Sequence, residues 1–432
     1  MYGPFAAIRE LRVDAPFPAF TPVRQDVPAP RVPDTAAAVE EALAPRLDEL
    51  PAGASVAVTA GSRGIADFAC TVRAVVQTLR RAGAEPFVVP AMGSHGGATA
   101  DGQRALLAEL GVTEDTVGAP IRATMDTVEL GRLPDGPVVH LDANAAAADA
   151  ILLLNRVKPH TSFRGEVESG LAKIAAIGLG KQRGAEGIHA FGPSQLQHWI
   201  PAAYRTLAGT GKVLGGLALV ENACHEVAAV EFLPADGIGG AGEAALLERA
   251  RAMLPRLPFE RVDVLVIDEF GKDKSGAGID PNVIGRIGVP GVPELFGGPE
   301  VTLITAHHLT PASRGNATGI GLADFVPLRL MEQIDLAKTY TNGLTAGLSA
   351  VRKIQLPVVL PTDRDAVAAA VRSCGVADGA QQRIVRIRDT LALDSMYVSP
   401  ALLDEVAADP ALEPAGSPSA ELFSADGDLR DW

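Results

Sequence analysis

The feature that most constrains this chain is an alternation. Short runs of β-branched and other apolar residues are each followed by a longer stretch rich in alanine and leucine. SVAVTA (55–60) reads as a strand and residues 67–82 as the helix after it. PFVVPAM (86–92) is the next strand, and GGATADGQRALLAELG (96–111) gives a turn and then a helix capped near Thr99 or Asp101. DAILLLN (149–155) is a third buried strand. Strands joined through helices must run parallel, because a crossover of that length carries the chain back to its starting edge. The pattern therefore predicts an α/β fold with mainly parallel sheets.

Parallel strands point their C-terminal ends at one edge, which is where open α/β sheets bind ligands. Ser62 and Arg63 follow the first strand, His95 follows the second, and Arg156, Lys158 and His160 follow the third. A second block opens near Pro258, where residues 258–286 repeat the strand and glycine-rich loop after the helical stretch GEAALLERARAMLPRL (242–257). VTLITA (301–306), LADFVPL (322–328), KIQLPVVLP (353–361) and RIVRIRD (383–389) supply its further strands. Two α/β domains are expected, residues 1–257 and 258–408, with the active site in the cleft between them. A surface tail rich in Pro, Ser, Ala and acidic residues is expected over 409–432.

The formal net charge of -14 argues against a nucleic-acid partner, which calls for a basic face. Three cysteines, Cys70, Cys224 and Cys374, are too few and too scattered for a disulfide framework or a thiolate zinc site. A reducing cytoplasm fits that usage. The first residues, MYGPFAAIRELRVDAPFP, lack the basic-then-apolar order of a signal peptide, and the apolar runs are far shorter than a membrane span.

The chemistry concentrates between Asn155 and Gly192, which holds His160, Lys173 and His189, with His95 in the earlier AMGSHGGAT turn. Three have a plain alternative: His95 as a turn residue, His160 as a backbone-bonded strand terminus and Lys173 as a lysine reaching solvent from an apolar run; His189 is a candidate metal ligand that taken alone decides nothing. His140, His198, His225, His307 and His308 have no comparable setting and read as structural.

Taken together, the site residues resemble the nickel-dependent lactate racemase (LarA-like) family. That family carries a Thr-Arg turn after its first strand, a Gly-x-His turn after the next, then Pro-His, a glycine-rich segment ending in Lys, and a later His. Here these read as Ser62-Arg63, Gly93-Ser94-His95, Pro159-His160, Gly170-Leu171-Ala172-Lys173 and His189. The resemblance implies a racemase or epimerase of a 2-hydroxy acid that uses a nickel-pincer nucleotide, a pyridinium mononucleotide with two sulfur arms. It implies that Lys173 is the covalent attachment point and His189 a nickel ligand. It further implies that Arg63 and Ser62 hold the phosphate and that His95 and His160 are the catalytic acid–base pair. Partners implied are the small hydroxy acid and the proteins that make the cofactor, with a homo-oligomer possible.

Departures from the family pattern bear on the substrate. Lys158 stands where the family has an acidic residue, and it lies between Arg156 and Arg164. The Gly-x-x-x-Asp-x-Asn run is present from Gly276 to Asn282, but Val-Ile-Gly-Arg replaces the Tyr-Gln and Lys expected after it. Arg286, Lys272 or Lys274 then takes the carboxylate contact, and the substrate is expected to be larger or more acidic than lactate. Other classes fit less well. Gly237-Ile238-Gly239-Gly240-Ala241-Gly242 matches the dinucleotide pattern of an NAD-dependent oxidoreductase but lacks a clear acidic partner. A hydrolase lacks its G-x-S-x-G elbow. A non-catalytic cofactor-binding protein would keep Lys173 and His189 alone.

Overall fold

The computed structural model describes residues 6–27, 29–47, 50–62, 64–294 and 297–432; Arg63 lies outside the described residues. The architecture is α/β, with mostly parallel sheets mixed with antiparallel strands. Two compact units emerge, residues 28–254 and residues 1–27 with 255–432. Among the described residues no helix is long and apolar enough to cross a membrane.

The 28–254 unit is built on a five-stranded sheet in the order Glu85–Pro90, Ser55–Ala60, Ala150–Arg156, Val213–Glu221, Val227–Pro234. The first four strands are parallel, and the last pairs antiparallel as a hairpin. The continuous apolar character of Ser55–Ala60 and Ala150–Arg156 follows from burial on both faces. Ala57, Phe87, Ile151 and Leu153 face one core, with Leu171, Ala175, Ile200 and Tyr204. Val56, Val58, Val88, Leu152 and Leu154 face the other, against Val72, Val75 and Leu79 of the helix Phe68–Arg81. Alternate residues go to opposite faces, as the pleat requires.

The chain moves outward from Ser55–Ala60 to Glu85–Pro90 and then returns to the other side of its first strand with Ala150–Arg156. Strand order therefore reverses between Ser55–Ala60 and Ala150–Arg156. Loops diverge from such a point and leave a crevice at the strand C-termini.

In the other unit an eight-stranded sheet runs Val358–Leu360, Phe325–Pro327, Glu300–Leu309, Arg261–Phe270, Ile384–Ile387, Ser395–Val398, Thr21–Gln25, Leu412–Pro414. Pairing is parallel through Ile384–Ile387 and antiparallel beyond it. Thr21–Gln25 is inserted between two C-terminal strands, which is why the first residues belong to this unit. The segment after Asp409, read from composition as a surface tail, contributes the edge strand Leu412–Pro414 and buries Leu422 and Phe423. Trp432 Nε1 donates to Asp268 Oδ2 over 2.7 Å. A few well-placed apolar residues decide this, and averaged composition hides them.

Candidate functional site

The loops after the first two strands of the 28–254 unit meet. Ser62 Oγ and His95 Nδ1 share a hydrogen bond. His95 is exposed, while the backbone behind it is held from below. Gln103 Nε2 donates to the carbonyls of Gly93, at 2.8 Å, and His95, at 3.3 Å. The turn needs glycine at Gly96, where φ is +66° and a Cβ would come within 2.5 Å of the Gly102 carbonyl carbon.

The third loop carries His160. Its main-chain N–H donates to the Glu168 carboxylate over 2.6 Å, and the N–H of Gly165 donates to the same group over 3.2 Å. Glu168 is buried and ion-paired with Arg251 at 2.5 Å. Lys158 is bridged to Ser169 through the backbone in both directions, at 3.0 and 3.3 Å, which places it at the loop's neck. The His160 ring packs on Phe163 with centroids 4.5 Å apart, and its Nδ1 accepts the N–H of Ser162 over 3.0 Å.

Lys173 ends the short helical turn Leu171–Lys173 and is followed by a π-helical segment, Ile174–Gly178. Such segments are uncommon and tend to occur at functional positions. Glu243, from the helix Ala241–Ala252, caps the turn: its oxygens accept the N–H of Ala172 at 3.2 Å and that of Gly239 at 2.9 Å. A Cβ on Gly170 would lie 2.0 Å from Glu243 Oε1, so only glycine admits this carboxylate. Asn155 Nδ2, at the end of its strand, donates to the Gly170 carbonyl over 2.8 Å. Gly178 likewise allows close approach, since a Cβ there would meet the Ala91 carbonyl oxygen at 2.6 Å. The Lys173 segment is thereby seated against the strand that leads to His95.

His189 ends the helix Lys181–His189 and is half-buried. Its Nδ1 lies 2.7 Å from the Ala185 carbonyl oxygen. A carbonyl only accepts, so Nδ1 carries the proton and Nε2 presents a lone pair. Burial holds this imidazole below its ordinary pKa; the Ala185 bond opposes that shift and the nearby Lys173 ammonium adds to it. The result is a neutral ring whose Nε2 carries the lone pair.

A second lysine in the segment has a different fate. Lys181 is fully buried; its ammonium bonds the Pro90 carbonyl, Gln103 Oε1 at 3.1 Å and Asp142 Oδ2 at 2.9 Å. Two of its donors go to the carbonyl and the amide oxygen, and the carboxylate offsets its charge. Lys181 is therefore a structural strut between the strand end at Pro90, Gln103 beneath the His95 turn, and the start of the helix that bears His189.

Ser62, His95, His160, Lys173 and His189 all belong to the 28–254 unit. Lys272 and Arg286 belong to the other. There Lys272 Nζ donates to the Gly276 carbonyl over 2.6 Å. Arg286 is committed to Asp324 at 2.8 Å and to the carbonyls of Leu322, Val301 and Thr302. Lys274 bridges Glu269 at 2.7 Å and Asp389 at 2.8 Å. His307 is buried between Thr305 Oγ1, at 2.7 Å, and Asp363, at 3.2 Å. The glycine run Gly237–Gly242 follows an edge strand that pairs antiparallel, and its Gly239 amide is taken by Glu243. This is a capping loop, and it lacks the parallel-strand setting that a dinucleotide fold requires.

Sequence reasoning missed Gln103, Asp142, Glu168, Lys181 and Glu243. The available signal was a charged residue embedded among small or apolar neighbours, as in IGLGKQRGA (177–185). Among the described residues, no three His, Cys, Asp or Glu side chains are grouped to hold a metal ion. A metal at His189 would take its other ligands from a bound group.

No family model matches the chain, and no curated protein matches it. Among solved structures, the lactate racemase apoprotein from Thermoanaerobacterium thermosaccharolyticum is similar with a TM-score of 0.51 and 12% identity, covering 86% of this chain and 94% of that one. A structural-genomics protein from Thermotoga maritima gives 0.47 and 14% identity, over 74% of this chain and 82% of that one. The likeness to the racemase apoprotein is one of fold.

Proposed function

We propose that this protein is a racemase or epimerase that inverts the hydroxyl-bearing carbon of a 2-hydroxy acid other than lactate, using a nickel-pincer nucleotide joined to Lys173. The observation that carries this reading is His189 itself: a half-buried neutral imidazole whose Nδ1 proton is held by the Ala185 carbonyl and whose Nε2 carries the lone pair a metal needs, in the same segment as Lys173. Fold likeness to a lactate racemase apoprotein supports it.

The residues fit the group. His189 offers one soft-enough nitrogen donor, which suits a metal whose remaining ligands are built into the cofactor. Lys173 is the attachment point and Lys181 is not, because the Lys181 ammonium is enclosed by three acceptors. Ser62 and Arg63 are the residues assigned to the phosphate, a partner that guanidinium binds through two parallel hydrogen bonds.

A 2-hydroxy acid has an unacidic α-hydrogen, so removing it as a proton meets a high barrier. When bound, the cofactor supplies a hydride acceptor, which avoids the carbanion. The protein's own task is then to position the substrate, hold its carboxylate and manage the hydroxyl proton. His95 and His160 are assigned to the hydroxyl, and Lys158 to an anionic part of the substrate. Lys272 and Arg286 are already bonded, to the Gly276 carbonyl and to Asp324, and neither is assigned to the substrate. The domain containing Lys173 is assigned the chemistry.

The test is the intact mass and nickel content of protein made with and without the cofactor-making proteins. A nickel-bearing adduct on Lys173, lost in Lys173→Ala and kept in His95→Ala, is expected. Loaded protein should erode the optical purity of some member of a hydroxy-acid panel. Absence of an adduct with full loading machinery present defeats the reading.

A further inference from the structure

The two histidines assigned to the hydroxyl sit in environments that differ in one decisive respect. His160 Nδ1 accepts a main-chain N–H, that of Ser162, over 3.0 Å. A backbone N–H can only donate. Nδ1 must therefore carry a lone pair, and the one proton of the neutral ring must sit on Nε2. Protonating the ring would set Nδ1–H against the Ser162 N–H. The geometry is well fixed, because the ring packs on Phe163 and the His160 main chain is tied to the buried Glu168.

His95 faces a hydroxyl, that of Ser62, through its own Nδ1. A hydroxyl rotates to donate or accept. With Ser62 donating, His95 presents Nε2–H; with Ser62 accepting, His95 presents an Nε2 lone pair; and the imidazolium keeps its Nδ1–H bonded to Ser62. Every protonation state of His95 can be matched by the Ser62 hydroxyl, whereas the Ser162 N–H favours one state of His160.

We propose that the two rings are not interchangeable: His160 is a fixed neutral hydrogen-bond donor to the substrate oxygen, and His95, partnered by Ser62, alone takes up and returns the hydroxyl proton. The role of the substrate oxygen rests on the hydroxy-acid reading above; the nitrogen assignments do not. In the forward step the substrate O–H bond breaks and an N–H bond forms at His95 Nε2. The cofactor, when bound, would supply the acceptor for the α-hydrogen and its electron pair, which balances the C=O bond formed at the substrate. The return step reverses each change. Neutral imidazole then stabilises negative charge on the oxygen through Nε2–H, a part that does not require it to become charged. A single base serves both enantiomers when the carbon presents its other face while its oxygen stays bonded to His95. Ser62 thus becomes a positioning residue for His95 as well as part of the phosphate turn.

The test is nitrogen NMR on histidine-labelled full-length protein at pH 7, with His160 identified by the signals lost in His160→Gln. The Nε2–H neutral tautomer is expected; an Nδ1–H tautomer or an imidazolium overturns the proposal. In loaded protein, His160→Gln, which keeps an N–H donor, should retain turnover within about ten-fold, the scale of one hydrogen bond. His95→Gln should lose about 10²- to 10⁴-fold, the scale of lost acid–base catalysis. Equal losses in the two variants also overturn it. Absence of turnover with every hydroxy acid defeats the functional reading, and the tautomer measurement then decides the nitrogen assignments alone.

Discussion

The Lys181 ammonium and the Asp142 carboxylate lie 2.9 Å apart with neither side chain reaching solvent. Burial raises the Asp142 pKa, with Lys181 opposing that shift, and burial lowers the Lys181 pKa, with Asp142 opposing. Removing one partner leaves the other charge buried without compensation. Lys181→Met is expected to destabilise the protein by about 3–5 kcal/mol, the usual cost of breaking such a pair. Lys181→Met with Asp142→Leu should recover part of the loss. Urea denaturation of the three variants measures both effects, and an additive double variant would count against the strut.

Gly170 is set by its contact with Glu243. Since a Cβ would lie 2.0 Å from Glu243 Oε1, Gly170→Ala must push the carboxylate off the turn that carries Lys173. A loss of about 1–3 kcal/mol is expected, as for other overpacked sites. Glu243→Asp should relieve part of it in the double variant, because the shorter side chain withdraws the oxygen. Thermal melts of the single and double variants check this coupling.

The pH dependence follows from His189 and His140, whose imidazoles are both held below the ordinary value of 6.5, chiefly by burial. Between that value and the lower folded-state values the unfolded chain binds more protons than the folded one. Stability therefore rises with pH across this window and is lost as pH falls through it. The melting temperature of metal-free protein should drop between about pH 6.5 and pH 5, where the histidines titrate ahead of most carboxylates. His189→Gln should flatten part of that slope; an unchanged slope would remove His189 as its source.

Arg286 is bonded to Asp324 and to three backbone carbonyls. Arg286→Ala leaves several of those groups unsatisfied, so a stability loss of about 1–3 kcal/mol is expected. Under this prediction KM for the best hydroxy acid stays within about three-fold, well short of the loss expected for a charge-assisted contact to a carboxylate. A large rise in KM with unchanged stability would return Arg286 to the substrate.

Much of the 28–254 unit was legible because its signals are local. SVAVTA, predicted as a strand over 55–60, is the strand Ser55–Ala60, and the helix predicted over 67–82 is Phe68–Arg81. Apolar runs with β-branched residues have few other solutions when both faces are covered. The insertion of Thr21–Gln25 between two C-terminal strands was not legible, since pairing between residues nearly four hundred positions apart leaves no local trace. Nor was the docking of the Leu422-Phe423 pair and of Trp432, which are small apolar islands in a polar stretch.

For the site, the sequence by itself determined which chemical groups are available and in what order: Ser62, His95, His160, Lys173 and His189 stand at strand ends or in glycine-rich turns. Those positions follow from covalent order and short-range backbone preference. Local chain geometry also fixed two ring states: His189 faces the Ala185 carbonyl four residues back along its helix, and His160 faces the Ser162 amide two residues on, so that opposite ring nitrogens carry the proton. Only the tertiary structure decided the rest. It brought Ser62 to His95, enclosed Lys181 among three acceptors and left Lys173 half-buried. Protonation depends on which donor or acceptor faces an atom within about 3 Å, and where that neighbour is distant in sequence only packing supplies it.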